Sequence, residues 1–172
     1  SFLKVGVFES IAMASIAGGA ILAMAFELLA TEAEWGAVAG DLVRELAHAA
    51  GAAGMIGGQV LDMAGENRSL PLDELQQIHR MKTGALLTAA CRLGAIATRA
   101  DEKSLEAVTE YGRHLGIAFQ IVDDVLDETA TPEQMGKRTK KDSAKGKSTY
   151  PKLMGLEASR AQAKSHLDAG LA

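Results

Sequence analysis

Three carboxylates stand inside an otherwise apolar run, Phe119-Gln120-Ile121-Val122-Asp123-Asp124-Val125-Leu126-Asp127. Charge withdrawn from water needs cations or hydrogen bonds, so few backbones can accommodate such a run. On a helix, Asp123 and Asp127 are i,i+4 neighbours, and Asp124 and Asp127 are i,i+3 neighbours. One turn rises about 5.4 Å, so the three carboxylates can converge on one concave mouth. Hard oxygen donors in this number suit Mg²⁺, which takes one or two carboxylates and completes its shell with substrate phosphates. The alternative is a solvated helix end neutralised by nearby lysines. Against it stand the apolar neighbours and the cost of placing acids at the negative end of a helix dipole.

The rest of the chain supports helices around that feature. Of its 172 residues 48% are hydrophobic but only 4% aromatic, and three are proline. Ala, Leu and Gly in such excess favour closely packed helices over sheets, which draw on β-branched and aromatic residues. The length allows one domain with a real core, and no linker or repeat divides it. The net charge of −4 carries no nucleic-acid signature. The lone Cys91, set among apolar and small residues, excludes an intrachain disulfide framework and reads as a small buried hydrophobe in a reducing compartment, the cytoplasm. Ile11 to Phe26 is uncharged but short of a transmembrane span, so a core or subunit-interface helix is expected there.

Helical spacing and breaker residues place helices at about 7–30, 34–49, 55–64, 72–98, 101–127 and 150–167. Pro71 suits a first helical position, and Asp101-Glu102-Lys103 opens the helix that carries the acid cluster. Residues 135–148, polar and rich in lysine, read as a loop. The expectation is an all-α chain.

Three further segments carry polar chemistry. Lys137 to Lys147 holds six basic residues and one acid, a surplus of five positive charges. It is either a solvated face or a lid that clamps phosphate, lysine acting as a point charge and Gly136 and Gly146 as hinges. Aromatic residues for stacking on bases are missing from it. His79-Arg80-Met81-Lys82-Thr83-Gly84 offers an ammonium beside a hydroxyl, unless Lys82 snorkels and Thr83 bonds back to its own helix. Gly57-Gly58-Gln59-Val60-Leu61-Asp62 puts Gln59 and Asp62 at i,i+3, with glycines that let another helix approach.

Taken in this order, the segments resemble the motifs of the trans-isoprenyl diphosphate synthases, or polyprenyl synthetases, of the geranylgeranyl and farnesyl diphosphate type. Residues 57–62 are similar to the GGQxxD helix, 79–84 to HxxKTG, 119–127 to FQxxDDxxD, and 136–151 to the GK…KD…KxTYP segment. The resemblance implies an isoprenoid-synthase helical bundle around a central cavity, normally a homodimer. It implies head-to-tail condensation of isopentenyl diphosphate with an allylic diphosphate through a Mg²⁺-assisted allylic cation. By position, Asp123, Asp124 and Asp127 are the metal ligands. Lys82, Lys137 and Lys147 contact diphosphate or steady the lid, and Gln59 and Asp62 face the same cavity. Thr83 and Gln120, with Lys82, serve catalysis by turning oxygen dipoles and charge on the developing cation and leaving group.

The family's first aspartate-rich motif, DDxxD, occurs nowhere in the chain, and Gly19 stands where relatives often carry aspartate. Residues 1–172 are therefore expected to be the C-terminal portion of a synthase-like domain, inactive alone. A non-catalytic truncated homologue that partners an active synthase is the alternative.

Overall fold

A computed structural model describes residues 2–31, 36–129 and 147–172, and the described residues are helical with no strand. By its internal contacts the chain resolves into two compact units, Ser1–Arg44 and Glu45–Ala172.

The first unit is dominated by helix α1 (Phe2–Thr31), which closes with the Thr31 hydroxyl donating to the Glu27 carbonyl at 2.8 Å. Helix α2 (Ala39–Ala50) begins in this unit, five residues after the start expected near residue 34, a position outside the described residues. Met13, Ile16, Ile21, Met24 and Leu28 of α1 are exposed rather than buried within the chain. Among the described residues no helix is long and apolar enough to cross a membrane.

The second unit contains α3 (Met55–Gly65), α4 (Leu72–His79), α5 (Ala85–Ala97), α6 (Glu102–Thr129), α7 (Tyr150–Met154) and α8 (Leu156–Gly170). The continuous helix expected over 72–98 is interrupted by a π-helical turn at Arg80–Gly84. That turn fits the crowding there: a Cβ on Gly58 would lie 2.2 Å from the Lys82 backbone nitrogen, and one on Gly116 would lie 2.7 Å from Gly84 Cα. Small residues thus let α3 and α6 approach the turn from two sides. Asp101 caps α6 as expected, its Oδ1 accepting from the Ser104 N–H at 2.7 Å, and that bond lowers the carboxyl's pKa. The last expected helix is split at Gly155, whose φ of 87° lies in the left-handed region.

The core gathers Leu75, Ile121, Val125, Tyr150 and Ala163, with Leu72, Ile117, Met154 and Leu156 packed on it. Helix α6 turns Ile121 and Val125 to this core, while Phe119, Val122 and Leu126 remain exposed. A second tie is polar. Arg92 on α5 binds both oxygens of Glu45, at 2.7 and 3.1 Å, and donates to the Thr109 hydroxyl of α6 at 2.7 Å. A planar fork of this kind fixes helix register as well as separation.

Candidate functional site

Among the described residues the densest charge chemistry is centred on one oxygen. Asp62 Oδ2, on the last turn but one of α3, accepts from Lys82 Nζ at 2.7 Å and from Lys147 Nζ at 2.8 Å. Glu66 Oε1, one turn further on, lies 3.8 Å from Lys147 Nζ. The side chains of Asp62 and Lys147 are 17% and 16% exposed and that of Lys82 33%, so the cluster is sheltered but open on the Lys82 side. Burial would raise the Asp62 pKa, yet the hydrogen bonds and charges of the two lysines outweigh it and hold the carboxyl below its usual range. The close approach at Gly58 is what places Lys82 over α3.

Lys147 reaches this cluster because its backbone is pinned. Ser148 Oγ accepts from the Leu70 N–H at 2.9 Å, and Lys152 Nζ donates to the Lys147 carbonyl at 2.7 Å. Tyr150, fully buried, anchors the other end, and its N–H donates to Asp124 Oδ2 at 2.9 Å. Lys147 and Tyr150 are three positions apart, and an extended chain gains at most about 3.6 Å per residue, so their Cα atoms lie within about 11 Å. The lysine cluster and the acid-bearing end of α6 are therefore neighbours.

The three α6 carboxylates differ in setting. Asp124 is 8% exposed and is tied to the Tyr150 backbone. Asp123 is exposed and Asp127 half-buried, both one turn apart on the face that also exposes Phe119, Val122 and Leu126. Gln120 and Thr83 are half-buried, and Gln59 is exposed. Lys137 lies outside the described residues, as does the expected loop except for Lys147 and Ser148. Among the described residues no three or more His, Cys, Asp or Glu side chains are gathered to hold a metal ion.

Two groups acquire significance that motif spacing does not convey. His79 is buried beside Tyr150, ring centroids 5.6 Å apart, and its Nδ1 has no hydrogen-bond partner. Burial drives its pKa down to about 4, with the Lys82 and Lys147 charges adding to the effect against Asp62, so the ring is neutral beside the lysines. Burial also pushes the Tyr150 phenol up to about 12, with Gln76 pulling weakly the other way, and its hydroxyl lacks a well-formed hydrogen bond. A buried aromatic anchor just before Pro151 was the available signal for Tyr150; nothing local marks His79 as neutral. A separate cleft of about 620 Å³, lined among others by Arg80, Thr88, Arg92, Thr109 and Ile117, contains none of the candidate residues.

Comparison with known proteins follows the same segments. The family model described as Polyprenyl synthetase matches residues 6–171. Farnesyl diphosphate synthase of Escherichia coli is 43% identical over 162 residues, covering 91% of this chain and 54% of that enzyme. Geranylgeranyl diphosphate synthase of Cyanophora paradoxa is 42% identical over 156 residues, covering 88% of this chain and 51% of its own length. Among solved structures, an FPP/GFPP synthase from Zymomonas mobilis superposes with a TM-score of 0.76 at 34% identity, covering 90% of this chain and 51% of that one. A geranyltransferase from Helicobacter pylori, complexed with magnesium and isoprenyl diphosphate, gives a TM-score of 0.75 at 34% identity, with coverage of 85% and 48%. The chain spans about half the length of these relatives.

Proposed function

From the premise that the chain belongs to the polyprenyl synthetase family, we propose that it is the C-terminal portion of a prenyltransferase domain that condenses isopentenyl diphosphate with an allylic diphosphate. The observation that carries the reading is the pair of ammonium groups held on one oxygen of Asp62, one of them from Lys147, whose segment is tied three positions on, at the Tyr150 N–H, to Asp124 of α6.

Asp62 here acts as a stand-in anion. It keeps Lys82 and Lys147 gathered until a diphosphate takes over their hydrogen bonds, so the two charges need no reorganisation when substrate arrives. Lys137, outside the described residues, is assigned to the same diphosphate by motif position alone. The carboxylate geometry fits Mg²⁺ through Asp123 and Asp127, one turn apart on an accessible face, with substrate phosphates completing the shell. Mg²⁺ bound there would supply neutralising charge to the departing diphosphate. Asp124 stays assigned to the metal cluster by motif position, but its burial makes it foremost the tether of the segment bearing Lys147.

Exposed Phe119, Val122 and Leu126 form the apolar wall for the isoprenyl chain and keep water from the allylic cation. Thr83 and Gln120 turn oxygen dipoles toward that cation, and Gln59 lines the same cavity. The domain works as a homodimer in the cytoplasm, where the single thiol of Cys91 stays reduced.

The test is a condensation assay on the full-length protein with isopentenyl diphosphate, an allylic diphosphate and Mg²⁺. Lys82→Ala and Asp123→Ala should each lower turnover by about 100-fold or more. Turnover unchanged in both would overturn the site assignment, and absence of any condensation product would overturn the activity.

A further inference from the structure

We propose that His114 and His166 form a two-histidine binding site for a borderline divalent transition-metal ion of the Ni²⁺, Cu²⁺ and Zn²⁺ class, linking α6 to α8. The two residues are 52 positions apart, yet their Nδ1 atoms face each other at 2.9 Å, with ring centroids 5.2 Å apart and planes inclined at 44°. Two imidazole nitrogens this close need something between them: a proton shared from one to the other, or a cation that both can ligate.

The spacing suits a metal. With a metal–nitrogen bond of about 2.1 Å, two ligands at a right angle are separated by about 3.0 Å, and two at the tetrahedral angle by about 3.4 Å. The observed 2.9 Å therefore matches a cis pair on a square or octahedral ion, and opening by about 0.5 Å serves a tetrahedral one. Both rings are half-buried, so water can fill the remaining positions. Burial, and then the charge His114 would carry, lowers the His166 pKa, which favours the neutral, metal-ligating form of that ring.

The surroundings leave the two rings as the ligands. Glu110, one turn before His114, is paired with Arg113, and Asp168 with Lys164 at 2.6 Å. Gly170 lies against the other side, where a Cβ would come within 3.1 Å of His114 Cβ, so the backbone of α8 limits how far that side chain can withdraw. The ligand chemistry also separates this site from the α6 carboxylates. Imidazole favours borderline ions, and carboxylate with phosphate favours Mg²⁺.

Calorimetric titration of the full-length protein with NiCl₂ above pH 7, where unperturbed imidazole is neutral, tests the proposal. One Ni²⁺ should bind per chain, raise the melting temperature and be removed by EDTA. His114→Gln and His166→Gln should each weaken binding by about tenfold or more, while His48→Gln should not. Unchanged affinity in either of the first two variants would overturn it. Should a variant fail to fold, the electron paramagnetic resonance spectrum of the Cu²⁺-loaded wild-type chain decides. Coupling to two imidazole nitrogens supports the site, and coupling to one or none refutes it.

Discussion

Replacing Asp62 by Asn keeps the shape of the side chain and one acceptor oxygen but removes the charge that holds Lys82 and Lys147 together. Each lysine then loses a charge-assisted bond, a class of interaction contributing about 1.5–3 kcal/mol. Two ammonium groups, both within 2.8 Å of the same atom position, are left repelling each other. Lys82 is a third exposed, so its share is reduced by solvent. The loss comes to about 2–4 kcal/mol, or about 5–15 °C in melting temperature for a chain of this length. Urea denaturation of wild type and Asp62→Asn measures it. Adding inorganic pyrophosphate without Mg²⁺ sharpens the test. A ligand that binds only the folded state stabilises it by mass action. In wild type the ligand must displace Asp62; in the variant it meets two cations that no longer share that carboxylate. The increment should therefore be larger in Asp62→Asn. An increment equal to or smaller than that of wild type would refute the stand-in role, even if the variant is destabilised as calculated.

Other perturbations address neighbouring parts. Gly58→Ala should cost more than about 3 kcal/mol in urea denaturation, because the new Cβ would sit 2.2 Å from the Lys82 backbone, whereas Gly94→Ala, with open space around it, should stabilise by about 0.5–1 kcal/mol. The folded state resists protonation of His79 down to about pH 4, while the unfolded chain accepts that proton near 6.5. Stability should therefore fall as pH drops from 6.5 towards 4, by about 3 kcal/mol in all, and His79→Gln should flatten that window in pH-dependent melts. Asp62 has a depressed pKa, so its contribution is complete above the ordinary 3.8 and is lost as pH falls through the lower folded value. Tyr150→Phe should change stability by less than about 0.5 kcal/mol, since the hydroxyl makes no well-formed bond, but Asp124→Ala should cost about 1–3 kcal/mol by orphaning the buried Tyr150 N–H.

Much of this architecture is legible in the sequence because it depends on local pattern. Pro71 and Asp101 announce helix starts, and α3, α4 and α6 begin within a residue or two of their expected positions. The family resemblance assigns Lys82 and Asp62 to one cavity, but nothing in their spacing announces the direct bond between them. The π turn does not follow from propensity: Arg80-Met81-Lys82-Thr83-Gly84 is compatible with an ordinary helix, and only the approach of Gly58 and Gly116 explains the widening. Asp123 and Asp124 are likewise identical in sequence terms. A rotation of 100° along α6 sends one to solvent and the other to a backbone N–H arriving from residue 150. The break at Gly155 was hidden in a helical composition that its φ of 87° overrides.

The π turn at Arg80–Gly84 also sets a rule for insertions and deletions. It inserts an additional residue into what is otherwise a continuous helical path, and each residue advances a helix by about 100°. A wide turn takes up that residue, so α5 keeps the phase of a regular helix one residue shorter. Removing one residue there would let α4 and α5 merge with Ala89 and Ala95 still buried and Arg92 still aligned on Glu45 and Thr109, whereas removing one between Ala85 and Ala89 would turn all three by about 100°. The segment between Ile78 and Ala85 thus tolerates the loss of one residue that its neighbours do not. It works as a phase adjuster between the part of the helix that carries Lys82 and the part that packs on α6.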